Sequence, residues 1–345
     1  MKAVGYFQSR SIDHPESLID LTVPAPRPGE RDLLVAVQAV SVNPVDTKVR
    51  ASRAAAGDGA PVVLGWDAVG TVLEVGSAVE GFAPGDRVWY AGDITRQGSN
   101  AQQQVVDARI VSRAPSSLSD AQAAAMPLTV ITAWELLFDR LQVPRADALS
   151  ASPATLLITG GAGGVGSILI QLARRLTGLT VVVTASRPET RQWCLDMGAH
   201  HVIDHQEALG PQWALLGDLP PVRYVASLTH TGRHYAALID LLAPQGRLGL
   251  IDDFDAQAVD IRLAKPKSIS LHWEMMFARS RFQTDDMAEQ GRLLAEVARL
   301  MDARTLRTTL AEVMGPIDAA TLRQAHARLE SGTMLGKLVL EGFGS

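Results

Sequence analysis

Along the first 110 or so residues, short apolar and β-branched runs such as Leu33 to Val42 and Val69 to Val75 alternate with turn formers. Pro24, Pro26, Pro28-Gly29, Gly57-Asp58-Gly59 and Pro84-Gly85-Asp86 punctuate them, which predicts a small all-β unit beginning with a strand at Lys2 to Phe7. From Leu156 the texture changes. Leu156-Leu157-Ile158, Val181-Val182-Val183, Val202-Ile203, Tyr224-Val225 and Leu248 to Ile251 are short apolar runs separated by helical periods. Strand and helix in alternation predict a parallel doubly wound sheet, so the fold class is α/β. Near Leu293 the period becomes helical (Leu293, Leu294, Val297, Leu300, Met301), and a helix through Ala319 to Leu329 and a strand Lys337 to Leu340 follow.

The sharpest local signal is the strand Thr155 to Thr159 running into Gly160-Gly161-Ala162-Gly163-Gly164-Val165-Gly166, then a helix with Val165, Ile168, Leu169, Leu172 and Leu176 on one face. Gly161, Gly163 and Gly166 fit G-x-G-x-x-G: the first for a tight turn, the second for close approach of a pyrophosphate, the third for close packing of helix on strand. The amides of Gly164, Val165 and Gly166 at the helix start then face the phosphates. An NAD site places a carboxylate about 20 residues on, where it binds the ribose 2′-hydroxyl. Here that place reads Ser186-Arg187-Pro188-Glu189-Thr190-Arg191, a hydroxyl and two guanidinium groups, which suits the 2′-phosphate of NADPH. The plainer reading of the same segment is an S-x-x-E capping box of Ser186 and Glu189, with Arg187 a solvated charge. Glu189 on the ribose would favour NAD instead.

Composition narrows the partners. The chain has 345 residues, enough for two domains, and its 37 acidic and 32 basic side chains form no long block of one sign, so no nucleic-acid or anionic-membrane footprint is present. Cys194 is the single cysteine, which excludes an internal disulfide and a four-cysteine zinc lobe and fits a reducing, cytoplasmic setting. Its neighbours Trp193 and Met197 mark it as a small buried residue. No signal-peptide pattern opens the sequence, and the most apolar stretch, Ala121 to Phe138, is interrupted by Gln122, Pro127 and Glu135 and is expected to fall short of a membrane span.

Several motifs in order resemble the medium-chain dehydrogenase/reductase superfamily, in its quinone-oxidoreductase-like branch, some of whose members carry the label zinc-type alcohol dehydrogenase-like. They are Ser41-Val42-Asn43-Pro44-Val45-Asp46, Gly65-Trp66-Asp67-Ala68-Val69-Gly70-Thr71-Val72, Val75-Gly76-Ser77 followed by Gly85-Asp86-Arg87-Val88, Thr132-Ala133-Trp134-Glu135, the glycine turn, Gly198-Ala199 and Gly246-Arg247. The resemblance implies a GroES-like β-rich catalytic domain (residues 1–127 and 276–345), a Rossmann NADPH-binding domain (128–275) and an active site in the cleft between them. It also implies a homodimer paired through the last Rossmann strand, for which Lys267 to His272 is a suitable edge.

The departures from the family pattern bear on the chemistry. Zinc members place a cysteine after the early strand and a histidine in a Gly-His-Glu triplet; the matching positions here are Asn43 or Pro44, and Gly65-Trp66-Asp67. Catalytic zinc needs three nitrogen, sulfur or oxygen ligands, and tryptophan is not one of them, so no metal is expected. His201 and His205, four residues apart on an expected strand, stand roughly 13 Å from each other. Without zinc, the acceptor must spread charge itself, as a quinone or an α,β-unsaturated carbonyl does. Asn43 resembles a residue that meets nicotinamide or substrate in relatives; the plainer reading is an ordinary Asn-Pro turn. Asp46 and Lys48 are the nearest ionisable groups and candidate proton donors, or an exposed ion pair. Trp66, Tyr90, Trp273 and Phe277 are candidates for an apolar substrate slot, or core. Thr132, His205 and the pair Gly336-Lys337 resemble positions that reach the cofactor in relatives, while Thr229 and Ile251 sit after later strands of the sheet, where open α/β folds bind ligands. The alternatives are a zinc-dependent alcohol dehydrogenase using other ligands, and a non-catalytic NADPH-binding protein.

Overall fold

A computed structural model describes residues 1–53, 59–146 and 153–344, so Gly57 and Asp58 of one expected turn lie outside the described residues. The chain divides into two compact units, Met1–Ile131 with Phe277–Ser345, and Thr132–Met276. The first crossing falls at Thr132 rather than at 128, inside a helix that the sequence pattern cannot subdivide.

In the first unit, β1 (Lys2–Tyr6), β2 (Ile19–Thr22) and β4 (Val62–Val63) make a small antiparallel sheet. A seven-stranded sheet is built from β3 (Asp32–Ser41), β5 (Ala68–Val75), β6 (Arg87–Tyr90), β7 (Gln103–Asp107), β8 (Ser112–Arg113), β15 (Leu310–Gly315) and β16 (Lys337–Glu341). Its order is β15-β16-β3-β5-β6-β8, with β7 on β3. Glycine is required where strands crowd: a Cβ on Gly70 would lie 2.2 Å from the Ala36 carbonyl oxygen. Helix α1 (Pro44–Ser52) follows β3 directly, with proline in its first turn, and α2 (Asp120–Ala124) packs on β3 and β5. Helix α3 (Pro127–Trp134) carries the chain out of this unit, and α8 (Ala278–Phe282), α9 (Glu289–Asp302) and α10 (Ala319–Glu330) belong to it after the return.

The second unit is a six-stranded parallel sheet of order β11-β10-β9-β12-β13-β14. Its strands are β9 (Thr155–Thr159), β10 (Thr180–Thr184), β11 (His201–Ile203), β12 (Val222–Ser227), β13 (Leu242–Leu250) and β14 (Ser270–Trp273). Counted within the unit this is 3-2-1-4-5-6, the dinucleotide-binding order whose switch point lies between β9 and β12. The central strands carry their apolar runs into a dry core of Leu157, Val182, Val225, Leu248 and Leu250. Helices α4 (Gly164–Leu176), α5 (Pro188–Met197), α6 (Leu209–Ala214) and α7 (Thr231–Leu241) are the crossovers. β11 stops at Ile203, so His205 lies in a turn beyond the strand, not on it as expected.

The helical stretch Asp120–Arg140 corrects another expectation: by length and apolarity it is sufficient to cross a membrane, its polar interruptions notwithstanding. It is also 83% buried inside the protein, as a core helix is. The stretch ends in a π-helix, Glu135–Arg140, where Leu141 N–H donates to the Leu136 carbonyl (2.9 Å).

Candidate active site

The glycine turn forms as the spacing requires, with one reassignment. Gly160, at φ 72°, takes the left-handed conformation at the end of β9, whereas Gly161 is glycine because a Cβ there would sit 2.9 Å from Val183 and 3.0 Å from the Cys194 sulfur. Cys194 is fully buried beneath it, and burial pushes its thiol up to about 12, so it is inert. Gly166 is needed for packing: its Cβ would lie 2.5 Å from the Gly160 carbonyl oxygen. Gly163 differs from both. A Cβ there meets only the Gly160 oxygen at 3.8 Å, so the space above it is open, and Gly163 to Val165 are partly exposed. Gly163 is also the N-cap of the 13-residue α4 and offers its first amides no side-chain cap. An open cradle over uncapped amides at the positive end of a helix fits the pyrophosphate of a dinucleotide. Thr229, after β12, packs on this turn, and Ile251 is hydrogen-bonded to the end of the same strand through its amide (3.4 Å to Ser227 O).

At the end of β10 the expected capping box does not form. Helix α5 starts at Pro188, which makes Arg187 the N-cap and leaves Ser186 one residue too early. Glu189 instead pairs with Arg187 (3.3 Å), both being exposed to solvent in part. Arg191 donates to the carbonyls of Ala185 (3.2 Å) and Val202 (2.9 Å), pinning the ends of β10 and β11, so its guanidinium is structural. Ser186 and Arg187 remain at the surface of this edge.

The first unit holds a second, fully buried constellation. Asp67, on the residue before β5, accepts hydrogen bonds on Oδ2 from Ser41 Oγ (2.9 Å), Asn43 Nδ2 (2.7 Å) and Lys337 Nζ (3.1 Å), and on Oδ1 from the Leu128 amide (2.7 Å). Lys337, at the start of β16, also donates to Val42 O (2.8 Å) and to Asn43 Oδ1. The residue is 4% exposed and its ammonium is held by these three acceptors. Gly336 beside it is buried and left-handed at φ 53°. Asn43 is no exposed turn either: both ends of its amide belong to the cluster. Asp46, in the first turn of α1, accepts from the Asn43 amide (2.7 Å) and the Gly65 amide (3.0 Å), and burial pushes its carboxyl up to about 7. Lys48, two residues on, is exposed on another face of α1, so the two candidate proton donors do not form one pair.

The aromatic candidates separate. Trp66 and Tyr90 are completely buried, and Phe277 packs edge-on against Trp66 at 6.0 Å, while the Trp66 indole donates to Asp93 O (3.3 Å). Trp273 belongs to the other unit, stacks on Phe254 and is 57% exposed. A catalytic zinc does not fit the residues present: the Trp66 position offers no ligand, and the carboxylate of Asp67 already neutralises the Lys337 ammonium. Among the described residues no group of three or more histidine, cysteine or acidic side chains is arranged to hold a metal ion.

A third cluster was not legible in the sequence. Glu135 opens the π-helix and Glu274 follows β14; both are buried, and Arg140 donates to Glu274 (2.9 Å) and lies 3.8 Å from Glu135. Burial and the neighbouring Glu135 push the Glu274 carboxyl up to about 9.

An alcohol dehydrogenase GroES-like domain model matches residues 29–116, and a zinc-binding dehydrogenase model matches residues 197–340. A zinc-type alcohol dehydrogenase-like protein of Staphylococcus aureus (strain COL) is 39% identical over 99% of both chains. The crystal structure of a candidate zinc-dependent alcohol dehydrogenase from Rhizobium etli CFN 42 is 53% identical and superposes with a TM-score of 0.95 over 100% of this chain and 99% of the other. Escherichia coli quinone oxidoreductase complexed with NADPH shares the fold at 23% identity and a TM-score of 0.81, over 99% of this chain and 100% of its own. A GroES-like domain joined to a Rossmann domain defines the medium-chain dehydrogenase/reductase superfamily of oxidoreductases. The chain belongs to its zinc-type alcohol dehydrogenase-like family.

Proposed function

We propose that the chain is an NADPH-dependent, zinc-independent reductase that transfers hydride to a quinone or an α,β-unsaturated carbonyl. The observation that carries this reading is the open cradle at Gly163, on the switch point of a 3-2-1-4-5-6 sheet, with Arg187 and no free carboxylate at the end of the second strand. NADPH, when bound, supplies the hydride. The residues that hold it are Gly161 to Gly166 at the pyrophosphate and Ser186 with Arg187 at the 2′-phosphate, with Thr132, Thr229, His205 and Ile251 as further contacts.

The chain's own contribution is to orient the acceptor and exclude water. An aldehyde concentrates charge on one oxygen and needs a strong Lewis acid, whereas a quinone or enone delocalises it, which suits a site in which Lys337 and Asp67 neutralise each other. Burial pushes the Asp46 carboxyl up to about 7, but both of its oxygens accept hydrogen bonds from backbone amides, so protonation of the reduced product is assigned to water rather than to an essential acid. The exposed edge strand β14 supports a homodimer, and the lone thiol a cytoplasmic setting.

The test is NADPH oxidation against a panel of quinones, enones and simple aldehydes, with metal analysis of the same sample. Turnover of quinones or enones, indifferent to chelator, is the expected result. Aldehyde reduction abolished by chelator and restored by zinc would overturn it, and tight binding with no turnover would indicate a non-catalytic role. Arg187→Ala should weaken NADPH by about 1.5–3 kcal/mol and leave NADH almost unchanged.

A further inference from the structure

Helix α10 carries a histidine in its core stripe. Ala319, Leu322 and Ala325 face inward at helical spacing, and His326 continues that face, fully buried. Both of its ring nitrogens are buried without a hydrogen-bond partner among the described residues. A neutral imidazole always offers one N–H and one acceptor, so the fold leaves both unmet, which is uncommon and costly.

Arg50 of α1 fixes what surrounds the ring. It is 2% exposed, donates to Arg10 O (2.5 Å) and pairs with Glu330, and its Nε is also buried without a partner. Glu330 lies one helical turn beyond His326, so the ion pair that docks α10 on α1 holds the guanidinium on the ring's side of the helix. The other charges on the elements packed against α10 are engaged elsewhere or face solvent. Asp20 of β2 accepts the Ala319 amide (2.9 Å), Glu312 of β15 pairs with Arg328, and Arg323 donates to Leu18 O (2.5 Å). Asp46 and Lys337 belong to the buried cluster, and Lys48 and Glu341 are exposed. No carboxylate bonds the ring among the described residues, and burial together with Arg50 holds it down to about 3, well below the usual histidine range.

We propose that His326 is an acid-operated lock between α10 and α1. Neutral, the ring is tolerated beside Arg50. Protonated, it becomes a second buried cation without a counter-ion, and the cheaper outcome is release of the α10 face into water, where the ring keeps its proton. The effect reaches the other end of α1: Asn43 caps that helix and Asp46 lies in its first turn, so uncovering α1 loosens the support of the Asp67 and Lys337 cluster. The folded ring titrates below its free value of 6.5, so the lock is fully closed above pH 6.5 and weakens as pH falls toward 3.

Hydrogen exchange of the full chain between pH 4 and pH 7, parent against His326→Leu, tests this. Relative to the variant, the opening equilibrium of α10 and of the last turn of α1 should rise in the parent on the order of tenfold per pH unit from pH 6 to pH 4, while α4 in the second unit shows no such difference. Glu330 and the other carboxylates are common to both proteins, so the difference isolates the imidazole. Should the variant fail to fold, the parent alone suffices: the pH profile of exchange at the carbon between the two ring nitrogens of His326 should have its midpoint below about 5. A parent-to-variant ratio that is flat with pH, a difference of the same size in α4, or a ring midpoint near 6.5 would overturn the lock.

Discussion

Asp46 and Asp67 in the first unit are buried among donors: four hydrogen bonds reach Asp67, two backbone amides reach Asp46, and the Lys337 ammonium is enclosed with them. Glu135 and Glu274 in the second unit are as deeply buried, yet the pair faces one guanidinium, that of Arg140, which is itself a third exposed. The first cluster is balanced by fixed groups contributed by β3, α1, β16 and the start of α3. The second balances itself largely by keeping a proton, which is why Glu274 titrates near 9 while Asp46, with amides to hold its charge, titrates near 7. Buried carboxyls are thus tolerated in two ways, by matched donors or by neutralisation, and the two respond differently to mutation and to pH.

The largest effect should come from removing the hub of the balanced cluster. Asp67→Ala leaves the Lys337 ammonium and the Asn43 amide without their acceptor, and should cost about 3–5 kcal/mol of stability in denaturant unfolding. A loss under 1 kcal/mol would mean that the cluster relaxes as easily as the other one. Arg140→Met is the matching cut in the second unit. There a carboxyl can remain protonated in response, so the loss at pH 6 should be smaller, about 1–2 kcal/mol, and should grow with pH.

The change sharpest in its pH dependence is expected from Glu274→Gln. The folded pKa of Glu274 lies above its unfolded value of 4.5, so its contribution is fully present below pH 4.5 and is lost as pH rises toward 9. The variant carries no such proton, and its stability relative to the parent should improve steadily over that window, by up to about 1.4 kcal/mol per pH unit. Asp46, raised from 3.8 to about 7, acts with the same sign over a lower window, so the slope that remains in Glu274→Gln should fade above pH 7. Thermal unfolding across pH 5 to 9 separates the two; a parent and variant with parallel profiles would show that Glu274 is ionised in the folded state.

The glycine turn, the parallel sheet behind it and the β-rich N-terminal region were legible because each rests on local rules: period, turn residues and the absence of a side chain at a fixed offset. Even there, the strained position proved to be Gly160, since a spacing rule counts glycines without knowing which φ each adopts. The candidate active-site residues were legible as a list and not as an arrangement. Lys337 was assigned to the cofactor by its motif, but β16 pairs with β3 and turns the ammonium onto Asn43 and Asp67, some 270 residues away in sequence from the latter. Glu135, in the sequence an interruption of an apolar stretch, became half of an acid pair through a π-turn and a strand 135 residues later.

The sequence by itself determined the classes of element and the glycine turn, because these depend on residue type and near neighbours. Only the tertiary structure decided which charges are buried and which donors meet them. Those outcomes depend on strand order and register, which bring together groups whose separation along the chain carries no local signal.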